Sequence, residues 1–279
     1  MGIAIEVKGL KKHYGDKPAV DGLDLEIGEG EVFALLGPNG AGKSTTVEIL
    51  EGFRARTDGD VTVLGQDPAH PTRAWRERIG IMLQTTSEQL ALSPREAITH
   101  MGRLYSAPRD TDALLTAVGL DEKADAKPRT LSGGMRRRLD VALAVVGSPE
   151  LVFLDEPTTG FDPQARRQFW GLIESLKDDG TTIVLTTHYL DEAEHLADRI
   201  AIIADGKLAA LDTPSGLRAK AADSAIAWRE DGQQRRLVTS TPTATLRELL
   251  AKTDGEVEEL SVTKPSLEDV YFQIIGGSE

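Results

Sequence analysis

The nine residues GPNGAGKST, Gly37 to Thr45, follow directly on the apolar run Val32 to Leu36. No other stretch of the chain limits its fold as strongly. Gly37, Gly42, Lys43 and Ser44 stand at the spacing G-x-x-x-x-G-K-[ST] of a phosphate-binding loop. Glycines permit positive φ and let successive backbone N–H groups turn inward as an anion nest. Lys43 adds a point charge for the β- and γ-phosphates, and the Ser44 hydroxyl suits Mg²⁺. A helix starting near Gly42 contributes the positive end of its dipole. The motif needs a strand before it and a helix after it, and Val32 to Leu36 and Thr46 to Leu50 read as these. The plainer reading, a Gly-rich turn with no ligand, leaves the lysine and the paired hydroxyls unexplained. An α/β fold that binds a nucleotide follows.

The rest of the composition narrows the partners. The chain has 279 residues, 40% hydrophobic and 28% charged, enough for one large domain and an appendage. Its net charge is −13 and its only basic block is Arg136-Arg137-Arg138, so nucleic acid is not expected as a partner. The longest apolar runs, VALAVVG and IAIIA, fall far short of the ~18–20 residues of a membrane span. The N-terminus MGIAIEVKGLKK has no signal-peptide layout, and the absence of cysteine suits a reducing compartment.

In a parallel sheet, ligands lie at the carboxyl ends of the strands. Three further apolar runs end in chemically useful groups. IGIML leads to Gln84, LVFL to Asp155-Glu156, and TTIVLTT to His188. Two adjacent carboxylates at the end of a buried strand repel each other unless a cation lies between them. Asp155 is the expected metal ligand and Glu156 the expected activator of an attacking water. On an arbitrary loop such a pair is a solvated turn, but LVFL before it and Pro157 after it favour the catalytic reading. His188 can donate to a γ-phosphate, whereas His13, His70, His100 and His195 read as structural. Gln84 can accept from the attacking water or ligate Mg²⁺.

A second candidate anion cradle lies in LSGGM. Ser132 reads as an N-cap, and Gly133 and Gly134 leave the first N–H groups of the helix bare. The expected apolar face is Met135, Leu139, Ala142, Leu143 and Val146. Taken alone, an ordinary capped helix explains these residues.

GPNGAGKST, Gln84, LSGGM, LVFLDEP, the FD of TTGFDP and His188 occur in the order of the ATP-binding subunits of ABC transporters, which the chain resembles over about residues 3 to 215. The resemblance implies a RecA-like P-loop NTPase core with an antiparallel β subdomain and an inserted helical subdomain. It implies ATP and Mg²⁺, with Gly37, Pro38, Asn39, Gly40, Ala41, Gly42, Lys43, Ser44 and Thr45 around the phosphates. Tyr14 matches the aromatic that stacks on adenine, Ser44, Gln84 and Asp155 the metal ligands, and Glu156, Gln84 and His188 the catalytic set. In the family, the LSGG segment of one subunit closes on the ATP held by another. Ser132, Gly133 and Gly134 would therefore serve the site of a second copy in a head-to-tail dimer. Met135 stands where many members have Gln, and Thr159-Gly160-Phe161 replaces the usual small-residue run before Asp162. A narrower resemblance, in GGMRRRLDVALAVVG, EPTTGFDPQARR and PSLEDVYFQIIG, is to the ATPases of drug- and antibiotic-resistance exporters.

These features imply an ATPase domain over 1–213, with the helical subdomain at about 86–145, and a small C-terminal α+β appendage over 214–279. Expected strands there are 225–229, 235–239 and 256–262, with helices at 245–251 and from Ser266. Asp162-Pro163 should start a helix running to about Lys177, with Gly180 as its stop. The expected role is to power export of a hydrophobic or drug-like substrate through a separate multi-span membrane permease. That permease would hold the chain peripherally at the cytoplasmic side of the membrane and meet it through residues 86–105. The alternatives are the ATPase of an importer, or a soluble ABC ATPase that transports nothing.

Overall fold

Long apolar runs, buried on both faces, build the larger sheet. The computed structural model describes residues 2–82, 92–220, 224–230, 233–252, 256–264 and 266–276. It divides into two compact units, Met1–Ala209 and Ala210–Glu279. In the first, β3 (Val32–Leu36), β6 (Leu151–Asp155) and β7 (Thr182–Thr186) are buried almost throughout, as parallel strands covered on both faces must be. With β5 (Ile79–Met82), β8 (Arg199–Ala204) and β9 (Lys207–Asp212) they form a six-stranded sheet of order β5-β6-β7-β3-β8-β9. β3 pairs in parallel with β7 on one side and β8 on the other, so the loop leaving it emerges at the middle of the sheet.

A second sheet is antiparallel, of order β2-β1-β4, from β1 (Ile3–Tyr14), β2 (Lys17–Gly28) and β4 (Asp58–Val63). Its inner residues, among them Ile5, Val7, Leu10, Leu23, Leu25 and Ile27, alternate with exposed ones. The β1–β2 register closes on Tyr14 opposite Lys17, which places the aromatic at the tip of the hairpin. After β3 come α1 (Lys43–Leu50) and, beyond β4, the short α2 (Arg73–Glu77).

The described residues between β5 and β6, from residue 92 onward, contain α3 (Pro94–Gly102), α4 (Thr111–Ala117) and α5 (Gly133–Val145). Each start is capped by a side chain: Ser93 with Glu96 in a reciprocal capping box, Asp110, and Ser132. The face of α5 differs from the sequence expectation. Leu139, Val141, Ala142, Ala144 and Val145 are buried, Met135 and Leu143 only partly, and Arg137 is buried with them. The helix is covered around more of its girth than a surface helix, so a simple amphipathic count underestimates its core side.

α6 (Pro163–Asp178) follows its expected limits closely. The Asp162 carboxylate accepts from the N–H groups of Gln164 and Ala165 at 2.9 Å, and Gly180 leaves the helix with φ +85°. Its buried stripe is Ala165, Phe169, Leu172, Ile173 and Leu176, spaced for one face of a helix. α7 (Leu190–Leu196) follows β7.

The second unit contains α8 (Pro214–Lys220), β10 (Ser224–Glu230), β11 (Gln233–Thr239), α9 (Pro242–Lys252), β12 (Ser261–Thr263) and α10 (Leu267–Gly276). Its three strands form an antiparallel sheet of order β11-β10-β12. The strand expected over 256–262 begins only at Ser261. Glu259 has φ +50° and the Glu258 carbonyl accepts from the Arg229 N–H at 2.9 Å, so the preceding residues turn instead of extending. Ser266 caps α10 in a reciprocal pair with Asp269.

Candidate active site

The glycines of the loop after β3 are required by space as well as by conformation. Gly37 has φ +154° and Gly42 has φ +103°. A Cβ would lie 2.2 Å from the Ile203 carbonyl oxygen at Gly37, and 2.3 Å from that of Ala19 at Gly42. No side chain fits either gap. Gly42 is also the N-cap of α1, and no side chain caps that helix or puts an acid in its first turn. The first N–H groups of α1 are thus left for an anion. Lys43 donates to the carbonyls of Gly37 at 2.6 Å and Pro38 at 3.1 Å, which holds its ammonium over the loop. Burial lowers its pKa, while Glu156 and Asp155 pull the other way.

One cavity of about 520 Å³ is lined by Tyr14, Asn39, Gly40, Gly42, Lys43, Ser44, Thr45, Asp155 and Glu156 together with Lys17, Pro18 and Ala19. Three separate pieces of chain, the hairpin from Tyr14 to Ala19, the loop from Asn39 to Thr45 and the end of β6, therefore converge on it. Gly37, Pro38 and Ala41 shape the loop from behind without lining it. The Tyr14 ring is half exposed, with Lys12 Nζ and the Arg54 guanidinium each 5.3 Å from its centroid. Lys17, Pro18 and Ala19 were not picked out from sequence, although the hairpin turn after Tyr14 was the signal that could have found them.

The carboxylate pair is held by residues with no motif of their own. The Thr186 hydroxyl donates to the Asp155 carboxylate and accepts from the Glu156 N–H at 3.1 Å. Glu156 sits at φ +47°, a left-handed conformation that costs a residue with a Cβ roughly 1–2 kcal/mol. Arg137 Nη2 donates to the Asp155 carbonyl and, at 2.9 Å, to the Glu156 carbonyl, bracing that conformation from α5. Read from sequence only as part of a charged block, Arg137 proves to be a buried tie between the LSGGM helix and the end of β6. Phe161, one of the departures noted above, is buried edge-on to Phe169 with centroids 6.0 Å apart, and so anchors the loop before α6.

His188 Nδ1 lies 3.6 Å from the Glu156 carboxylate, with half its side chain exposed. Ser132, Gly133 and Gly134 do not line the cavity. A Cβ on Gly133 would meet nothing within 4 Å, so that helix start is open. Gln84 lies outside the described residues. The donors available to a metal are oxygens, the Ser44 hydroxyl and the Asp155 carboxylate, which suits Mg²⁺. Among the described residues there is no cluster of three or more His, Cys, Asp or Glu able to hold a metal.

A second concavity, of about 500 Å³, is largely apolar and lined by residues including Phe53, Trp75, Ile81, Met101 and Tyr105, with Glu51 among them. Phe53 is 76% exposed. Among the described residues no helix is long and apolar enough to cross a membrane.

Comparison with known proteins agrees with this geometry. The family model described as "ABC transporter" matches residues 20–159. The chain is 40% identical to the daunorubicin/doxorubicin resistance ATP-binding protein DrrA of Streptomyces peucetius, over 98% of this chain and 92% of that protein. It is 44% identical to the Nod factor export ATP-binding protein I of Rhizobium meliloti, over 73% of this chain and 62% of that protein. Among solved structures, an ATP-binding subunit of an ABC transporter superimposes with a TM-score of 0.70 at 26% identity, covering 78% of this chain and 92% of that one. A dimeric bacterial ABC transporter cassette gives 0.67 at 25% identity, covering 75% and 98%. A phosphate loop whose glycines admit no side chain, facing a braced carboxylate pair and supported by these relatives, makes the chain a member of the ABC transporter family and an ATP-binding, ATP-hydrolysing subunit.

Proposed function

We propose that two copies of this chain close head to tail on two ATP molecules and use the hydrolysis to power export through a separate multi-span membrane permease. The observation that carries the reading is the division of the anion-binding groups. The loop, Tyr14 and the Asp155–Glu156 pair line one cavity, while the open helix start at Ser132 lies outside it. A second copy, offering Ser132, Gly133 and Gly134 to the γ-phosphate, would complete the site. Tyr14 stacks on the adenine. The backbone from Gly37 to Thr45 and the Lys43 ammonium hold the phosphates. Ser44 and Asp155, with Gln84, hold Mg²⁺, which when bound neutralises charge on the β- and γ-phosphates. Glu156 accepts a proton from the attacking water, and His188 beside it contacts the γ-phosphate.

The permease is expected in the groove around Phe53 and Tyr105, to which residues 86–105, the stretch expected to meet it, contribute Met101 and Tyr105. An exposed phenylalanine at the rim of an apolar groove is what a membrane protein's helix would cover. The functions for which two relatives are named, daunorubicin/doxorubicin resistance and Nod factor export, support export of a hydrophobic or drug-like substrate. Such an assembly would hold the chain at the cytoplasmic face of the membrane.

Mixing tests the shared site. Ser132→Arg and Lys43→Ala should each be inactive alone. In a mixed dimer one composite site carries both lesions and the other neither, so ATP turnover should partly return on mixing. Co-expression with the cognate permease should bring two copies per complex into detergent-solubilised membranes, and Phe53→Asp should release them with soluble ATP binding retained. Full transport activity without a membrane partner would reject the reading.

A further inference from the structure

Glu192, in the first turn of α7, is completely buried. A buried carboxyl costs free energy unless hydrogen bonds compensate it, and leucine would fill the same space without that cost. Thr187, Thr158 and the Trp170 indole face this carboxyl, with the Arg166 charge beyond them. Thr158 and Thr187 are themselves buried. None of the three closes a fully formed hydrogen bond on it. Both Glu192 oxygens, the Thr158 hydroxyl and the indole N–H have unmet capacity. The Thr187 hydroxyl accepts from the Tyr189 N–H at 3.0 Å, which orients it while leaving its own proton to be donated.

The neighbours belong to the two segments that flank the chemistry. Thr158 lies two residues after Glu156, and Thr187 one residue before His188. The surrounding rings and charges extend the same junction. Arg166 stands 4.1 Å over the Tyr189 ring, Tyr189 packs against His188 with centroids 4.0 Å apart, and Trp170 stacks on His195 at 4.3 Å. A rigid, buried polar group common to both segments can transmit the position of one to the other. Burial raises its pKa, while the Thr187 and Thr158 hydroxyls, the Arg166 charge and the Trp170 indole oppose that rise.

We propose that Glu192 is a positioning residue for ATP hydrolysis, its buried carboxyl holding the Thr158 and Thr187 segments in one unit so that Glu156 and His188 meet the γ-phosphate together. The inference rests on the assignment of Glu156 and His188 made above. A misplacement of either group of the order of 1 Å costs about 10²-fold in rate while leaving nucleotide binding to the phosphate loop.

Steady-state hydrolysis of MgATP by the full chain tests it. Glu192→Ala should lower kcat about tenfold or more with the KM for ATP within about twofold of the parent. Glu192→Gln, which keeps the shape and an oxygen that accepts from the Thr158 and Thr187 hydroxyls, should restore at least about half of kcat. Thr158→Val should reproduce a smaller loss, again in kcat alone. A folded Glu192→Ala protein with parental kcat overturns the proposal, as does a parallel change in KM and kcat or a Gln variant as impaired as the Ala one. Should Glu192→Ala not fold, Thr158→Val decides, and unchanged kcat there rejects it. Failure of the catalytic assignments shows separately, as turnover surviving in Glu156→Gln with Glu192 intact.

Discussion

Replacing Glu51 by glutamine should stabilise the nucleotide-free protein, and increasingly so as the pH rises. Glu51 caps the C-terminus of α1, is 7% exposed, and forms part of the apolar groove beside Trp75. Burial, followed by the negative charges of Asp155 and Glu48, pushes its pKa from 4.5 up to about 8. An acid whose proton is held more tightly in the folded than in the unfolded chain loses stability as pH rises between those two values. Below about pH 4.5 both states are protonated and the group is neutral to stability. Each pH unit above that costs about 1.4 kcal/mol until the folded carboxyl also ionises. The penalty is thus roughly 1 kcal/mol at pH 5.5, roughly 3 at pH 7 and between about 4 and 5 at pH 8.5. Glutamine keeps the shape and removes the titration. Urea unfolding with EDTA and no nucleotide, followed by tryptophan fluorescence, should therefore show a gap between variant and parent that widens by roughly 3 kcal/mol from pH 5.5 to pH 8.5. A gap independent of pH, or a glutamine variant less stable than the parent at pH 8.5, would refute the burial argument.

Three other substitutions probe the site and its supports. Gly42→Ala forces a Cβ to 2.3 Å from the Ala19 carbonyl at φ +103°, so calorimetry should show ATP binding lost, with a stability loss of about 2 kcal/mol or more. Arg137→Met removes the donor to the Asp155 and Glu156 carbonyls while keeping the side-chain volume. Turnover should fall about tenfold or more with ATP binding retained, and parental kcat would show that Glu156 holds its left-handed conformation unaided. Asp162→Ala leaves the first N–H groups of α6 without their acceptor and should cost about 1 kcal/mol in thermal or denaturant unfolding.

Local rules made much of this legible in advance. The strand, glycines and helix start around Lys43 are set by steric limits that act within a few residues, and they reappear as β3, the two glycines with no room for a Cβ, and α1. The same holds for α6, where Asp162, Pro163 and Gly180 are start and stop signals with local causes. The parts that were not legible depend on tertiary contact. Arg137 is one of three consecutive arginines, and only the packing of α5 against the end of β6 turns it inward. Lys17, Pro18 and Ala19 line the cavity because the antiparallel sheet folds its hairpin over the loop, so the turn after Tyr14 marks them only once that placement is known. Glu192 stands among the charged residues of a helix start, where sequence alone favours solvent. The late start of β12 reflects the turn at Glu259, where a charged run with one valine imitates an alternating strand.

The most direct test of the account concerns Glu156. Its carboxylate lies in the cavity with the phosphate loop, 3.6 Å from His188, in a conformation braced by Arg137 and Thr186. Glu156→Gln changes one oxygen to an amide and leaves the loop, Lys43 and Asp155 in place. Single-turnover hydrolysis of radiolabelled ATP, run beside equilibrium binding of the same nucleotide, separates the two functions. ATP affinity should stay within a few-fold of the parent, hydrolysis should fall by about 10²-fold or more, and an ATP-stabilised dimer should persist on size exclusion. Hydrolysis near the parental rate in this variant, with binding intact, would contradict the assignment of Glu156 as the group that activates water.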